Sequence, residues 1–329
     1  MTVKSGLLKL LVQHKGETLS GEALAAELSC TRAAVWKAVK SLREEGYHIE
    51  AGPNKGYMLR KDSNRLSEEG IRLYLNHPDV YLKLYKETGS TNQLAKEAAV
   101  SGQASHGSFV MARCQTAGRG RRGRSFFSPE DTGLYMSVIL KPGNRTLQES
   151  LLLTTAAAAS VYKAVKKVCG ISLDIKWVND LFYKGKKVCG ILTEAITDFE
   201  SGNIEYAVVG IGLNVCPPAE YPEELAEIAG ALFPDEEAAS GMDVNELAAE
   251  IVNTLLEEIE RRTLSPEYVE HNMIPGRQIL ITDGQNQRTA EALKICPDGR
   301  LQIREEDGSV SVLSYGEVSV IVKPEEIVL

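Results

Sequence analysis

The first sixty residues repeat apolar and polar positions at the spacing of short helices. Residues 7–60 predict three helices and a hairpin, and the side chain of Ser20 can cap the second helix. Thr31 can cap the third helix, which ends at Gly46. Two strand-like runs then flank a turn rich in Gly, Pro and Asn at 52–56. This pattern predicts a winged helix-turn-helix.

Further along, helical and strand-like segments alternate from Leu66 to about Asn272, which predicts an α/β domain with a mixed sheet. An Ala-rich helix is expected at 147–169. The tail switches to β character punctuated by Asp-Gly turns, which predicts a small β barrel. The apolar runs that predict buried strands are 109–111, 134–140 and 207–211 in the middle segment and 278–281, 301–303 and 318–322 in the tail.

These patterns divide the 329 residues into three domains and predict a multidomain α+β protein. Residues 1–64 form the winged helix-turn-helix, 65–272 the α/β domain with the mixed sheet, and 273–329 the small β barrel. The short polar stretch at 60–65 carries no periodicity and is interpreted as the linker between the first two domains.

Composition is that of a globular protein, with 43% hydrophobic and 25% charged residues. No stretch approaches the roughly 20 apolar residues of a membrane helix, and the N-terminus lacks a signal-peptide pattern. We therefore expect a cytoplasmic protein without a membrane partner. The six cysteines lie far apart and form no C-x-x-C pair, so we expect buried free thiols rather than a metal or redox site.

Charge is distributed unevenly along the chain. The whole carries −8, whereas residues 1–60 hold nine Lys and Arg against six Glu, a local charge of +3. A basic domain on an acidic body is expected where one part meets phosphate, and a recognition helix places its N-terminal residues in the major groove. Periodicity alone leaves a protein-interaction module as an alternative. The candidate DNA-binding residues are Thr31, Arg32, Lys37, Lys40 and Lys55.

The stretch 115–124 is the most informative for chemistry, because four arginines alternate there with three glycines. Glycine lets the backbone approach an anion closely, and arginine supplies a fork of donors for carboxylate or phosphate. A nucleic-acid contact loop, a basic localisation patch and a solvated loop would have the same composition. Its position directly after the predicted strand at 109–111 favours a ligand-binding loop.

Three weaker motifs accompany this loop. Residues 176–190 hold a Lys-Trp-x-Asn-Asp run followed by several lysines, which indicates a second anion site. Residues 210–214, Gly-Ile-Gly-Leu-Asn, are half of a dinucleotide fingerprint but lack its later glycine. Residues 88–92 offer clustered hydroxyls and an amide for a polar ligand head. Each motif alone is also compatible with ordinary surface or packing residues.

Taken along the chain, from 88–92 through 115–124 and 176–190 to 210–214, the motifs resemble those of the biotin protein ligases, and the two flanking domains resemble those of the bifunctional bacterial ligase/repressor type. The resemblance covers nearly the whole chain and implies a class II synthetase-like catalytic domain and an SH3-like C-terminal barrel. Two positions depart from it. Val178 stands where the family often has proline, which should change loop stiffness modestly, and Phe126 stands where some members have tryptophan beside the nucleotide.

The resemblance implies a two-step reaction with biotin, ATP and Mg²⁺. The carboxylate of biotin attacks the α-phosphate of ATP to give biotinyl-5′-adenylate and pyrophosphate. A lysine of biotin carboxyl carrier protein then attacks the acyl carbon, and AMP leaves. It further implies that the chain binds operator DNA as a repressor of biotin genes and is a homodimer when biotinyl-AMP is bound.

The resemblance also implies a role for individual residues. Arg119, Arg121 and Lys187 would be catalytic, and Asp180 would hold Mg²⁺ or align the lysine. The implied biotin-binding residues are Ser90, Thr91, Asn92, Gln115, Arg119, Gly120, Arg121, Lys187, Gly190, Gly210 and Gly212, and the implied nucleotide-binding residues are Arg121, Arg124, Phe126, Lys176, Asn179 and Asn214.

Two alternative functions share part of this pattern. A lipoate ligase would have the same catalytic fold, but we would not expect the arginine-glycine loop together with a winged helix. A transcription factor that only senses biotin would keep the ligand pocket without needing Lys176, Asn179 and Asp180. Because the chain has the complete set, the sequence favours an enzyme that is also a regulator.

Overall fold

The structure, a computed structural model, describes residues 2–52, 56–60, 63–141, 143, 149–197, 204–283, 286–314 and 319–322. The chain divides into two compact units. The N-terminal unit consists of residues 1–78 and 240–250, and the second unit, named the catalytic unit for the role that the sequence resemblance implies, consists of 79–239 and 251–329. Within the described residues, no helix is both long enough and apolar enough to span a membrane.

The N-terminal unit contains the predicted helix-turn-helix and wing. The hydroxyl of Ser20 accepts the Ala23 N–H at 3.0 Å, and the hydroxyl of Thr31 accepts the Ala34 N–H at 3.2 Å, so both predicted caps are present. Its elements are α1 (Val3–Gln13), α2 (Gly21–Glu27), α3 (Arg32–Glu44), β1 (Ile49–Gly52), β2 (Gly56–Leu59) and α4 (Glu68–Arg72). Strands β1 and β2 pair antiparallel and form the wing.

Helix α3 is amphipathic, and its apolar face forms part of the core of this unit. Val35, Val39 and Leu42 are buried at helical spacing, as the sequence pattern predicts. Arg43 lies at the end of the helix, and its guanidinium Nε donates to the carbonyl of Ile49 at 2.8 Å. This arginine therefore ties the helix to the wing.

A mixed seven-stranded sheet forms the centre of the catalytic unit. Its strands are β3 (Leu82–Tyr85), β4 (Phe109–Ala112), β5 (Gly133–Leu140), β6 (Asp174–Lys176), β7 (Asp180–Tyr183), β8 (Lys186–Thr197) and β9 (Ile204–Asn214). They lie in the order β3-β4-β5-β9-β8-β7-β6. Strands β3 and β4 are parallel and the other neighbours are antiparallel, so the predicted mixed sheet is confirmed.

Helices cover this sheet with small side chains. These helices are α5 (Thr91–Val100) and α6 (Ser150–Cys169). The remaining described helices are α7 (Glu223–Ala226), α8 (Glu236–Ala239), α10 (Pro266–Glu270) and α9 (Val244–Glu260), of which residues 244–250 belong to the N-terminal unit. Ala95 and Ala99 of α5 are fully buried in a cluster with Val110 and Val208 of the sheet. The Ala-rich helix predicted at 147–169 is α6, and its residues 147 and 148 lie outside the described residues.

The tail is an antiparallel sheet of five strands within the described residues. They are β10 (Gln278–Asp283), β11 (Asn286–Ile295), β12 (Leu301–Glu305), β13 (Val310–Leu313) and β14 (Ser319–Val322), in the order β13-β12-β11-β10-β14. Gly299 and Gly308 have φ of 83° and 84°, as the predicted Asp-Gly turns require. The predicted β character is confirmed, and closure of the sheet into an SH3-like barrel stays a prediction.

Candidate active site

A cavity of about 220 Å³ opens over β8 and β9 of the catalytic unit, between the start of α5 and the arginine-glycine loop. It brings together nearly all the residues that the sequence singled out. The predicted residues that line it are Ser90, Thr91, Asn92, Gln115, Arg119, Gly120, Arg121, Arg124, Phe126, Lys176, Asn179, Asp180, Lys187, Gly190, Gly210 and Gly212. Four segments that are distant in sequence therefore converge on one site.

Asn214 is the exception among the predicted residues. It ends β9 and does not belong to the lining given for this cavity. Its side-chain amide donates to the carbonyl of Gly230 at 2.9 Å, and its backbone carbonyl accepts the Leu232 N–H at 3.1 Å. In this structure Asn214 thus anchors the segment that follows α7.

One end of the cavity is built from buried polar side chains at the start of α5. Ser90, Thr91 and Asn92 are only 7%, 3% and 4% exposed. Both the N–H and the hydroxyl of Thr91 reach Oε1 of Gln115, at 2.9 and 3.1 Å. The Ser137 hydroxyl lies 2.7 Å from the Thr91 hydroxyl and 2.6 Å from Oδ1 of Asn92. A buried network of this kind holds its members in defined orientations.

Glu194 supports this network from β8. It accepts a hydrogen bond from Nδ2 of Asn92 at 2.8 Å and forms an ion pair of 2.6 Å with Lys96. Burial by itself raises the pKa of Glu194, but the hydrogen bonds from Lys96 and Asn92 and the charges of Lys96 and Arg119 lower it below its usual value overall. Glu194 is therefore ionised at neutral pH and orients the Asn92 amide.

Glycines form the floor of the cavity. Gly210 and Gly212 lie on β9, and Gly190 lies opposite Gly212 on β8. A Cβ at Gly210 would lie 2.9 Å from Cγ of Asn92, and one at Gly212 would lie 2.5 Å from Cζ of Phe126. The motif at 210–214 is thus the interior of a strand that leaves room for other groups, and it is not a phosphate loop before a helix.

The arginine-glycine loop folds back on itself between Gly118 and Phe126. The Phe126 N–H donates to the carbonyl of Gly118 at 2.9 Å, and the Gly120 N–H donates to the carbonyl of Arg124 at 2.7 Å. A short 3-10 turn occupies the tip at 121–123. Nη1 of Arg121 donates to Oδ1 of Asn179 at 2.9 Å, which connects the loop to the second anion motif.

Lys187 and Asp180 form an ion pair at the edge of the cavity. Nζ of Lys187 lies 2.7 Å from Oδ1 of Asp180, which also accepts a hydrogen bond from Nδ2 of Asn179 at 3.0 Å. Burial lowers the pKa of Lys176, and the neighbouring cations Lys187 and Arg124 lower it further, against the opposing effect of Asp180. The positive charges of Lys187 and Arg124 therefore disfavour the charged form of Lys176.

The charges of the lining residues are strongly unequal. Among the described residues that line the cavity, Asp180 is the one carboxylate. The cations of the lining are Arg119, Arg121, Arg122, Arg124, Lys176 and Lys187. Such an excess of positive charge around a partly enclosed site attracts anionic ligands. The site can therefore bring two anionic reactants together.

Cys189 lies next to Gly190 of the cavity lining. Cys189 is fully buried two residues beyond Lys187, and burial raises the pKa of its thiol well above the usual value. It therefore stays protonated. Within the described part of the chain, no group of three or more His, Cys, Asp or Glu residues is placed to hold a metal ion.

Sequence reasoning missed two side chains that orient the site. Ser137 was detectable, because it is the one polar residue in the otherwise apolar β5 run after the glycine. Glu194 belongs to none of the motifs, and its contacts with Asn92 and Lys96 arise only from the fold. The lining also includes Arg122, Ser125, Met136, Trp177, Ile191, Leu192 and Ile211.

In the N-terminal unit, the candidate DNA-binding residues lie along the exposed face of α3. Arg32, Lys37 and Lys40 are exposed, and Thr31 occupies the N-cap. Lys40 lies 3.9 Å from the carboxylate of Glu44, one turn later. Lys55 lies outside the described residues.

Known proteins resemble both units. Residues 84–214 match the Biotin/lipoate A/B protein ligase family, and residues 4–58 match a helix-turn-helix domain. The bifunctional ligase/repressor BirA of Bacillus spizizenii is 34% identical over 95% of this chain and 97% of its own length. The protein of that name from Bacillus subtilis is 40% identical over 70% of this chain and 71% of its own length.

A solved structure supports the same relationship. The biotin protein ligase from Aquifex aeolicus, in complex with biotin and ATP, superposes with a TM-score of 0.58 and 27% identity, covering 74% of this chain and 99% of that chain. The extent of the BirA match, the matching helix-turn-helix and the shared fold of the ligase domain together show the family. The chain belongs to the biotin/lipoate A/B protein ligases, as a bifunctional ligase/repressor with an N-terminal helix-turn-helix domain.

Proposed function

We propose that this chain joins biotin to ATP, transfers the biotinyl group to a lysine of biotin carboxyl carrier protein, and binds operator DNA through its helix-turn-helix to repress biotin genes. The observation that carries the enzymatic part is the convergence of the arginine-glycine loop, the Lys187–Asp180 pair and the buried network around Asn92 on one cavity. The site therefore has buried polar groups that can bind a neutral ring and, beside them, cationic groups that can bind a carboxylate and a phosphate.

The ureido head of biotin occupies the end of the cavity built by Ser90, Thr91, Asn92 and Gln115. A ureido ring offers N–H donors and one carbonyl acceptor, and a buried ligand of this kind needs fixed partners. The buried network keeps these side chains oriented before the ligand arrives. The glycine floor makes room for the Asn92 amide and the Phe126 ring, which lie against Gly210 and Gly212 beside this end of the cavity.

The carboxylate of biotin and the α-phosphate of ATP meet at Arg119, Arg121 and Lys187. Bringing two anions into contact is the main obstacle of the first step, and preorganised cations reduce it without a protein nucleophile. Asp180 holds Lys187 at 2.7 Å, and Asn179 holds Arg121 at 2.9 Å. Both cations are thus positioned by a neighbour, and Gly120 lets the loop backbone approach the carboxylate.

The nucleotide extends toward Arg124, Phe126, Lys176 and Asn179. Phe126 presents an aromatic ring near Gly190 and Gly212, where a purine could stack. A phosphate beside Lys176 would compensate the repulsion among the clustered cations. For Asn214 we propose an indirect role, because it holds the segment after α7 through Gly230.

Mg²⁺ fits this site only when ATP is bound, because the phosphates would supply most of its ligands. Magnesium is commonly bound by one or two carboxylates together with substrate phosphates and water. Asp180 is the one carboxylate of the described lining, and its Oδ1 is already shared by Lys187 and Asn179. Asp180 could add one oxygen ligand, and the ion would screen the phosphate charge.

The second step needs the acyl carbon to stay accessible at the cavity mouth. The lysine amine of the carrier protein attacks this carbon, the bond to the adenylate oxygen breaks, and AMP leaves. The same arginines that hold the adenylate can stabilise the departing phosphate. We propose a cytoplasmic location, because ATP, the carrier protein and operator DNA would all be available there.

Adenylate binding also explains how ligation and repression could be coupled. A winged helix in a segment with a charge of +3 neutralises few phosphates, so a monomer binds DNA weakly. A dimer reads two half-sites, and the second contact becomes intramolecular. We infer that biotinyl-AMP favours the homodimer, so that the adenylate represses when carrier protein is exhausted. Sedimentation with and without biotin and ATP tests this coupling.

One incubation tests the enzymatic proposal directly. The purified chain is given ATP, Mg²⁺ and a carrier domain together with labelled biotin or labelled lipoate. We expect pyrophosphate release and label on the carrier lysine with biotin only. Transfer of lipoate in place of biotin would identify a lipoate ligase, and binding of biotin without pyrophosphate release would identify a sensor.

A further inference from the structure

Trp36 is the most conspicuous apolar side chain on the surface of the N-terminal unit. Its exposed fraction is 56%, whereas Trp177, the other tryptophan of the chain, is 6% exposed. Tryptophan is highly buried on average, and a soluble domain gains stability by covering it. Among the described residues, the apolar core of this unit and the side chains packed against it do not include Trp36. The fold therefore does not use this indole as a core residue.

The position of Trp36 on α3 gives it a cationic surrounding. Arg32 lies one turn before it and Lys40 one turn after it, because residues four apart share a face of a helix. Both are exposed. The same helix buries Val35 and Val39 in the core, whereas Arg32, Trp36 and Lys40 form an exposed stripe along it. The indole thus lies between two exposed cationic side chains that can contact phosphate groups.

Phosphate contacts and an indole have different consequences for DNA binding. Lysine and arginine contacts to phosphate contribute affinity that depends on salt and little on sequence. An indole cannot neutralise phosphate. Its apolar ring can contact a thymine methyl group, and its single N–H can donate a hydrogen bond to a base acceptor in the major groove. Near the N-terminal half of a recognition helix, such a group faces base edges.

We propose that Trp36 contacts bases of the operator and contributes to its sequence preference, while Arg32 and Lys40 contact the phosphates on either side. This inference rests on the proposed DNA-binding function and names a specificity-determining residue for it. An acidic protein could also bind this exposed face of α3, and selection from random-sequence DNA distinguishes DNA from such a protein as the partner.

The test compares Trp36→Ala with Lys40→Ala in the full chain with biotin and ATP present. The probe is a duplex enriched from random-sequence DNA by the wild-type protein, and a shuffled duplex of equal length is the competitor. Trp36→Ala is expected to lower the preference for the enriched duplex about tenfold or more, as the loss of one base contact does. Its slope of log K against log salt should stay unchanged. Lys40→Ala should weaken both duplexes and reduce the slope by about one.

Fluorescence supplies an independent readout. Trp177 lines the ligand cavity, so emission is compared at saturating biotin and ATP, where a DNA-dependent change in indole emission should come from Trp36. The enriched duplex should change the emission of the wild-type protein and leave that of Trp36→Phe unchanged. Circular dichroism checks that the variants remain helical, and biotin transfer checks that the catalytic unit is intact.

The outcomes distinguish this inference from the function on which it rests. If Trp36→Ala keeps the full sequence preference, or if it weakens both duplexes equally, the base contact is wrong while the DNA-binding function stands. If random-sequence selection enriches no duplex with the wild-type protein, both are wrong, and the stripe would instead suit an acidic partner. Loss of biotin transfer in Trp36→Ala would likewise contradict a role confined to DNA.

Discussion

The catalytic cavity and the exposed face of α3 position their functional side chains in opposite ways. In the cavity, buried residues such as Thr91 and Asn92 are held by partners from distant segments, among them Gln115 and Glu194. On α3 the candidate cations project from one helix into solvent. A substitution in the cavity should therefore disturb its neighbours as well, whereas one on α3 should remove a single contact.

Removal of the helix-turn-helix should have the largest effect and should affect only one function. A chain that begins at Ser63 keeps Asn64, whose side-chain Oδ1 accepts the Val244 N–H at 2.8 Å, and Arg65, whose backbone carbonyl accepts Nδ2 of Asn245 at 3.0 Å. We expect complete loss of specific DNA binding and retained biotin transfer, because the proposed catalytic residues lie in the other unit. DNA titration and transfer to the carrier domain measure the two functions. A folded truncate without transfer would show that the units are catalytically coupled.

Lys187→Ala should reduce adenylate formation about 10²- to 10³-fold, as the loss of one preorganised charge contact does. The residue is partly exposed and paired with Asp180, so the thermal unfolding temperature should change little. Pyrophosphate release from biotin and ATP gives the rate. Lys184→Ala, an exposed lysine three residues earlier, is the matched control and should behave as the wild type. Near-normal release from Lys187→Ala would refute its assignment.

Gly210→Ala tests whether the glycine floor is required for the site. The added Cβ would lie 2.9 Å from Cγ of Asn92, so the amide must shift away from Glu194 and Ser137. Displacing a binding group by about 1 Å can cost about 10²-fold. We expect the KM for biotin to rise by up to that factor, with a smaller change in the KM for ATP.

Gly241→Ala is the control for this substitution, because a Cβ there meets nothing within 4 Å and the φ of Gly241 is not positive. It should leave both KM values unchanged. Equal increases in the KM for biotin and for ATP in Gly210→Ala would indicate general distortion of the sheet. An unchanged KM for biotin would show that Asn92 does not hold its head.

Glu194→Gln should have the smallest effect and should depend on pH. Because the pKa of Glu194 is lowered in the folded state, ionisation stabilises the protein above the usual glutamate pKa. This contribution is lost as the pH falls through the lowered value. The variant should lose about 1 kcal/mol at neutral pH, the size of one hydrogen bond, and its difference from the wild type should vanish in acid. Thermal unfolding from neutral to acidic pH measures this, and a constant difference would contradict the role of the charge.

Local sequence patterns were sufficient to predict the helix caps and the buried helix face of the N-terminal unit. Ser20 and Thr31 cap their helices through hydrogen bonds that span three residues, so neighbours in sequence determine them. The buried face of α3 follows from helical spacing alone. The exposure of Trp36 could not be derived in this way, because an apolar residue beside the buried face can be covered by a neighbouring element, and only the fold shows that this indole is exposed.

The arrangement of side chains in the cavity could be predicted from the sequence only in part, and the rest depended on the tertiary structure. The sequence by itself determined the residue types of the anion site, because arginines, lysines and glycines in those motifs suit phosphate and carboxylate wherever they fold. Only the fold decided that Ser137 and Glu194 would orient Asn92, and that Asn214 would bind Gly230 instead of lining the cavity. The register of β9 between β5 and β8 sets these contacts, and strand register depends on pairing over long distances in the chain.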